Sequence, residues 1–300
     1  MTLIGYHNAE QFWQCPRQAR DKFMVYKTAG ESVPEATKWR GTHERLFSKA
    51  LSHVGDGDGP ASSARAIEWY LRHTDTPDAN TIVTLTRVSD ALSEAINKFE
   101  APLISAGFVR STEPHFTGCL PKGSPAYIPP LNGIEDYFVG VSPDIAWTRG
   151  KEIVLAEIKS SSKKNSRSFY HEVSDQLLFY SQSMRSAGWT ESGALMLLVP
   201  ENPFVSNFPG DKQSERQLPF SSLPMVDSWT VNTHNPDPDC PMLRHNRDIW
   251  SALFKLIRST PEQMTEWKPR PYIDKATGNL SGWCNTCDTR TTCPVLRRQK

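Results

Sequence analysis

The twenty residues from Gly140 to Lys159, GVSPDIAWTRGKEIVLAEIK, constrain the fold more than any other stretch of the chain. Two apolar runs, Val141 to Trp147 and Ile153 to Lys159, are rich in β-branched and aromatic residues, with Arg149-Gly150 where a tight connection falls. That pattern predicts a β-hairpin. With Arg149 and Gly150 as the loop, Thr148 faces Lys151 and Asp144 faces Leu155. Asp144 and Glu157 then become diagonal neighbours on one face, about 7 Å apart, and Lys159 shares that face. Ile153-Val154-Leu155-Ala156 is an uninterrupted apolar run, the mark of a strand buried on both sides.

A hairpin with its polar face in solvent is the plain alternative. Against it stands the cost of a charged pair at the end of a buried strand, which falls only if the pair coordinates something. Two carboxylates beside an ammonium can hold a divalent cation that polarises a phosphodiester and acidifies its bound water. The expectation is that the two carboxylates approach to about 4 to 6 Å, with His43 as a candidate third ligand. Arginine suits a positive-φ loop position poorly, and Pro143 cannot donate to a ladder, so an edge or a bulge is expected at Pro143.

Downstream, Phe169 to Arg185 carries Val173, Leu177, Tyr180 and Met184 at helical spacing, and places Gln176 and Tyr180 at i and i+4 on one side. The intervening loop, Ser160 to Arg167, joins hydroxyls to Lys163, Lys164 and Arg167, a set suited to phosphate contacts. Gly193 to Val199 reads as a further buried strand.

Asp144, then Glu157-x-Lys159, then Gln176-x-x-x-Tyr180 resembles the catalytic signature of the PD-(D/E)XK nucleases, in their RecB-like branch. The resemblance implies a restriction-endonuclease-like α/β core with a mixed central sheet flanked by helices. It implies that Asp144 and Glu157 bind Mg or Mn, that Lys159 assists attack, and that Gln176 and Tyr180 hold the site or DNA. The usual Gly-x-x-Asp is here Gly140-Val-Ser-Pro-Asp144, one residue longer. Gly41-Thr-His43 is similar to, but shorter than, the family's glycine and metal-ligating helical histidine, and Glu113 resembles an acidic position ahead of the metal motif.

The region 1–106 is expected to be helical. Asn8 and Gln11 resemble a helix start, followed by an apolar stripe through Phe12, Cys15, Ala19, Phe23 and Tyr26, with Pro16 placing Cys15 at a joint between two short helices. Helical patterns follow at Ala36 to Val54, Ser63 to His73 and Asn80 to Ala106, with a Gly- and Asp-rich loop over His53 to Ser63. Phe108 to Thr117 alternates as a strand, and Gly118 to Gly133 is a proline-rich loop. The segment Glu201 to Pro241 reads as an irregular excursion, and Asp248 to Ile257 as a helix. The expected organisation is one unit, 1–300, with a catalytic core at 107–200 and a C-terminal excursion, helix and cysteine segment at 201–300.

Six cysteines occur in the chain. Cys284, Cys287 and Cys293, in a turn-rich segment, read as metal ligands and need a fourth partner. Four thiolates serve zinc or an iron-sulfur cluster equally well. The resemblance extends to RecB-like proteins of the AddB and CRISPR-associated spacer-processing groups. It implies that Cys15 joins the triplet around a 4Fe-4S cluster that clasps the chain ends. Cys119 and Cys240 are incidental.

The chain holds 34 Lys plus Arg against 33 Asp plus Glu, so a DNA contact must come from a local patch. No long apolar run or basic-apolar leader is present, from which a cytoplasmic protein without membrane partners is expected. The combined expectation is a metal-dependent DNA nuclease, an exonuclease on single-stranded or end-containing DNA, working beside a helicase or CRISPR integration proteins. Two rivals are a catalytically silent DNA-binding or assembly subunit and a zinc-stabilised RNA-processing hydrolase.

Overall fold

A computed structural model describes residues 5–16, 43–112, 114–119, 138–160, 167–199, 226–234 and 241–258, with 260, 262, 263 and 266. The elements in chain order are α1 (Tyr6–Gln14), α2 (His43–Leu51), α3 (Ser63–His73), α4 (Ala79–Ser105), β1 (Val109–Arg110), β2 (Phe116–Cys119), β3 (Phe138–Val141), β4 (Ile145–Arg149), β5 (Glu152–Ser160), α5 (Arg167–Ser186), β6 (Thr190–Val199), β7 (Asp227–Thr230) and α6 (Pro241–Arg258). A five-stranded sheet runs β1-β4-β5-β6-β7, parallel only between β5 and β6 and antiparallel elsewhere, while β2 and β3 form a separate antiparallel pair. The molecule is therefore mixed α/β, a mixed sheet flanked by helices. Among the described residues no helix is long and apolar enough to cross a membrane.

The alternation of strand side chains decides which helices cover which face. Val154, Ala156 and Ile158 of β5, with Ile145 and Trp147 of β4 and Leu195 and Leu197 of β6, pack against α2, α3 and α4. Ile153 and Leu155, with Ala146, Ala194 and Met196, pack against α1, α5 and α6. The uninterrupted apolar run of β5 is thus buried on both sides. By the same parity Glu157 and Lys159 face the layer of α1, α5 and α6.

Local chemistry accounts for the helix bounds. Asp78 caps α4 by accepting from the Thr81 amide at 2.8 Å, and Ser62 caps α3 by accepting from Ala64 at 3.3 Å. The end of α5 closes with Trp189 N–H to Met184 C=O and Gly188 N–H to Arg185 C=O, both 3.0 Å, a paired cap that turns the chain into β6.

Five expectations change. The helix expected to start at Asn8 starts at Tyr6, because the Asn8 side chain reaches back to the Gly5 amide at 3.0 Å rather than forward. The strand expected over Phe108 to Thr117 is two strands, β1 and β2, in different sheets. The expected strand Val141 to Trp147 is broken at Ser142 to Asp144 into β3 and β4, since Pro143 cannot donate to a ladder. There is no bulge at Pro143; the register shift lies between Ile153 and Val154 on the β6 side. Finally, the stretch read as an irregular excursion contains β7, paired antiparallel with β6.

Candidate active site

The site grows from the β4–β5 hairpin. Its ladder pairs Arg149 with Glu152 and Ile145 with Ala156, so the loop is Gly150-Lys151, one residue later than the spacing suggested. Gly150 takes φ +59°, a value open to glycine and strained for arginine. This later turn keeps the side-chain parity but slides the register. Asp144, one position before the first ladder pair, now stands directly opposite Glu157 instead of diagonal to it.

Past the last ladder pair the Ile158 amide donates to the Asp144 Oδ2 at 2.8 Å, which fixes the Asp144 carboxyl beside its neighbour. The Asp144 carboxylate faces Glu157 closely enough for its charge to act on it. Glu157 is only 1% exposed. Burial and, next, the facing Asp144 charge push its carboxyl up to about 8, against the opposing pull of Lys159. Lys159 Nζ donates to Glu157 Oε2 at 2.8 Å and to Gln176 Oε1 at 3.0 Å. Burial alone would lower the Lys159 ammonium, but the Glu157 and Asp144 charges outweigh it and hold it above its usual range.

From α5, Gln176 Nε2 donates to Glu157 Oε1 at 3.0 Å and to the Tyr180 hydroxyl at 2.9 Å. Tyr180 donates in turn to the Ser142 carbonyl at 3.1 Å, in the connection that Pro143 creates. Asp144, Glu157, Lys159, Gln176 and Tyr180 therefore form one hydrogen-bonded constellation. It is open on the Lys159 side, where that side chain is 28% exposed, and closed behind Glu157.

Helix α1 borders the constellation, a placement that sequence reasoning missed. Gly5 forms a parallel bridge with Gly140, and a Cβ at Gly5 would lie 2.6 Å from the Gly140 carbonyl oxygen, so only glycine permits this approach. Tyr6 OH donates to the buried Asp175 at 3.3 Å, and His245 of α6 meets the same carboxyl at 3.2 Å. Burial pushes Asp175 up to about 8. The result places His7 Nε2 3.3 Å from Gln176 Nε2, and His7 Nδ1 3.4 Å from Glu10 Oε2. The i, i+3 spacing of His7 and Glu10 was the available signal, hidden because the segment reads as an apolar stripe leading to Cys15.

Cys15 caps α1, its amide donating to Gln11 C=O at 3.0 Å, and its thiol is free and half-buried. Cys284, Cys287, Cys293, Cys240, Glu113, Lys163 and Lys164 lie outside the described residues, as does the side chain of His43, which opens α2. Among the described residues no group of three His, Cys, Asp or Glu side chains forms a metal site. The described donors suit a cation nevertheless. Two facing carboxyls, one pushed toward protonation by burial and by its like-charged neighbour, would be relieved by a hard divalent ion, which takes oxygen ligands from protein, water and substrate.

No protein-family model matches the chain, and no curated protein does. Among solved structures it is similar to one described as "Crystal structure of SSO0001", at 12% identity and a TM-score of 0.34, over 91% of this chain and 96% of that one.

Proposed function

We propose that the protein is a divalent-metal-dependent DNA nuclease of the PD-(D/E)XK class, RecB-like branch, hydrolysing phosphodiesters with water. The observation that carries this reading is the convergence of Asp144, Glu157, Lys159, Gln176 and Tyr180 from two strands and a helix into one hydrogen-bonded site. Asp144 and Glu157 would hold Mg or Mn, with His43 a candidate third ligand. The ion would polarise the phosphate and acidify its bound water. Lys159, held protonated, offsets charge that develops on the phosphoryl oxygens. Gln176 aligns Glu157 and Lys159 at once, one with each end of its amide, and Tyr180 locks that amide to the β3–β4 connection. Cys15, with Cys284, Cys287 and Cys293, is proposed to carry a 4Fe-4S cluster.

End-labelled single- and double-stranded DNA incubated with purified protein and Mn tests the activity. Metal-dependent shortening that disappears in Asp144→Ala supports the reading; intact DNA under all conditions removes it and favours the silent binding subunit. Anaerobic protein should be brown, from thiolate-to-iron charge transfer, and Cys15→Ala should be colourless while Cys119→Ala and Cys240→Ala stay brown. Stoichiometric zinc without iron would hand the cysteines to the zinc alternative.

A further inference from the structure

Helix α1 presents one side chain to the site that the reading above leaves without a task. The Gly5–Gly140 bridge and the Tyr6–Asp175 hydrogen bond fix the start of this helix, and His7 follows directly. Lys159 Nζ donates to the Gln176 Oε1 at 3.0 Å, which orients the amide. Its nitrogen, whose two hydrogens go to Glu157 Oε1 and the Tyr180 hydroxyl, lies 3.3 Å from His7 Nε2, so that ring nitrogen is the one turned to the site. The other ring nitrogen, Nδ1, faces Glu10 Oε2 at 3.4 Å.

An imidazole with one nitrogen turned to the site and a carboxylate beside the other has the arrangement of a general base. Contacts of this kind are often long without substrate and shorten when it binds. The His7 side chain is 66% exposed, so water and substrate can reach it, whereas Glu157 is sealed. Lys159 and His7 meet opposite ends of the same Gln176 amide, so both border the same site. Lys159 itself, donating to Glu157 and Gln176 as an ammonium, has no lone pair with which to accept a proton. Other described imidazoles point elsewhere: His115 meets the Ser142 hydroxyl, and His245 meets Asp175.

We propose that His7, oriented by Glu10, accepts the proton of the attacking water in the phosphodiester hydrolysis argued above, a reading on which this inference rests. The water oxygen bonds to phosphorus as the bond from phosphorus to the leaving sugar oxygen breaks. One water proton passes to His7 Nε2, and Glu10 stabilises the imidazolium. The leaving oxygen takes a proton from solvent and the imidazolium returns one to solvent, so each turnover consumes one water. Lys159 is left to balance charge.

The test compares wild type, His7→Ala, His7→Gln, Glu10→Gln and Lys159→Ala on end-labelled DNA with Mn, after thermal melts confirm folding. Expected are a fall in kcat of about 10²-fold or more for His7→Ala with KM near wild type, and an equal fall for His7→Gln, which keeps a partner for Gln176 but takes no proton at neutral pH. Glu10→Gln should lose about tenfold. Added imidazole should restore part of the His7→Ala rate and none of the Lys159→Ala rate. Full activity in His7→Ala or His7→Gln, or a reduced His7→Ala rate indifferent to imidazole, overturns the assignment while the nuclease reading stands. A wild type that cuts no DNA removes both.

Discussion

Two glutamates on neighbouring strands are equally buried, at 1% side-chain exposure, and their surroundings are opposite. Glu191 at the start of β6 is surrounded by donors. One of its oxygens accepts from Arg185 at 2.9 Å, from the hydroxyls of Ser181 and Thr233, and lies 3.5 Å from His234. Glu157 near the end of β5 has Lys159 and Gln176 as donors but faces a second carboxylate. A buried charge saturated with donors is an anchor, here tying the segment after β7 to α5. A buried charge left facing its like is unfinished, a setting that a bound cation would relieve. Burial alone does not separate the two, nor does the adjacent cation that each one has; the second carboxylate facing Glu157 does.

The comparison breaks first under substitution. Glu157→Gln should lose DNA cleavage by about 10³-fold or more while melting at or above the wild-type temperature in metal-free buffer, because the amide removes a like-charge conflict. Glu191→Ala should do the reverse. It strands the Arg185 charge and two hydroxyls, costing roughly 3 to 5 kcal/mol and so about 5 to 15 °C in Tm, yet the molecules that remain folded should cut at wild-type rates per active site. A Glu191→Ala protein that melts normally, or a Glu157→Gln protein that unfolds first, would erase the distinction.

The Glu157 half of this contrast is legible in the sequence, and the reason is locality. Asp144, Glu157, Lys159, Gln176 and Tyr180 lie on consecutive elements, so period-2 and period-3.6 spacing suffice to place them on one side. The spacing puts the turn one residue early because Arg149 and Gly150 look equally like loop, and only the positive φ of Gly150 at the first loop position distinguishes them. The error was harmless because a slide that moves both arms together preserves parity. By contrast His7, Asp175 with His245, and Glu191 with Thr233 were invisible. Their partners are distant in sequence, and no periodicity encodes a contact between one helix and another. The break at Pro143 was half legible: the proline announced an interruption, but not that β3 would leave the main sheet for β2.

Acidity gives a smaller effect with a definite sign. Glu157 is raised to about 8 from an ordinary value of 4.5, and Asp175 to about 8 from 3.8. The folded state therefore holds protons that the unfolded chain has released. That stabilisation is complete below the unfolded values and is lost as pH climbs through about 8. Metal-free wild type should lose several degrees of Tm between pH 5 and 9, and Glu157→Gln should lose fewer. Saturating Mn should raise Tm more at pH 9 than at pH 6, by a few degrees at about a hundredfold excess over Kd, and Glu157→Gln should abolish that difference. Equal Mn stabilisation at both pH values would mean that proton and cation do not compete.

The smallest expected effect concerns the frame around the pair. Gly5→Ala introduces a Cβ 2.6 Å from the Gly140 carbonyl, so the start of α1 must shift. Stability should fall by roughly 1 to 2 kcal/mol, measured by denaturant midpoint, with a severalfold loss of cleavage because the helix beside Gln176 moves. Gly59→Ala, where φ is +81° and nothing lies within 4 Å, should cost stability without touching cleavage.

Sequence distance also gives the site an order of assembly. The hairpin that brings Asp144 to Glu157 is closed by a two-residue loop, whereas Gln176 comes to Glu157 across 19 residues and His7 to Gln176 across 169. Short loops close fastest, so the mutual repulsion of the carboxylates is present early and its relief comes late. The nascent hairpin holds two acids together before Gln176 and Tyr180 can brace them. Conditions that quiet the acids, a proton or a captured cation, then act on the rate of folding as well as on the finished site.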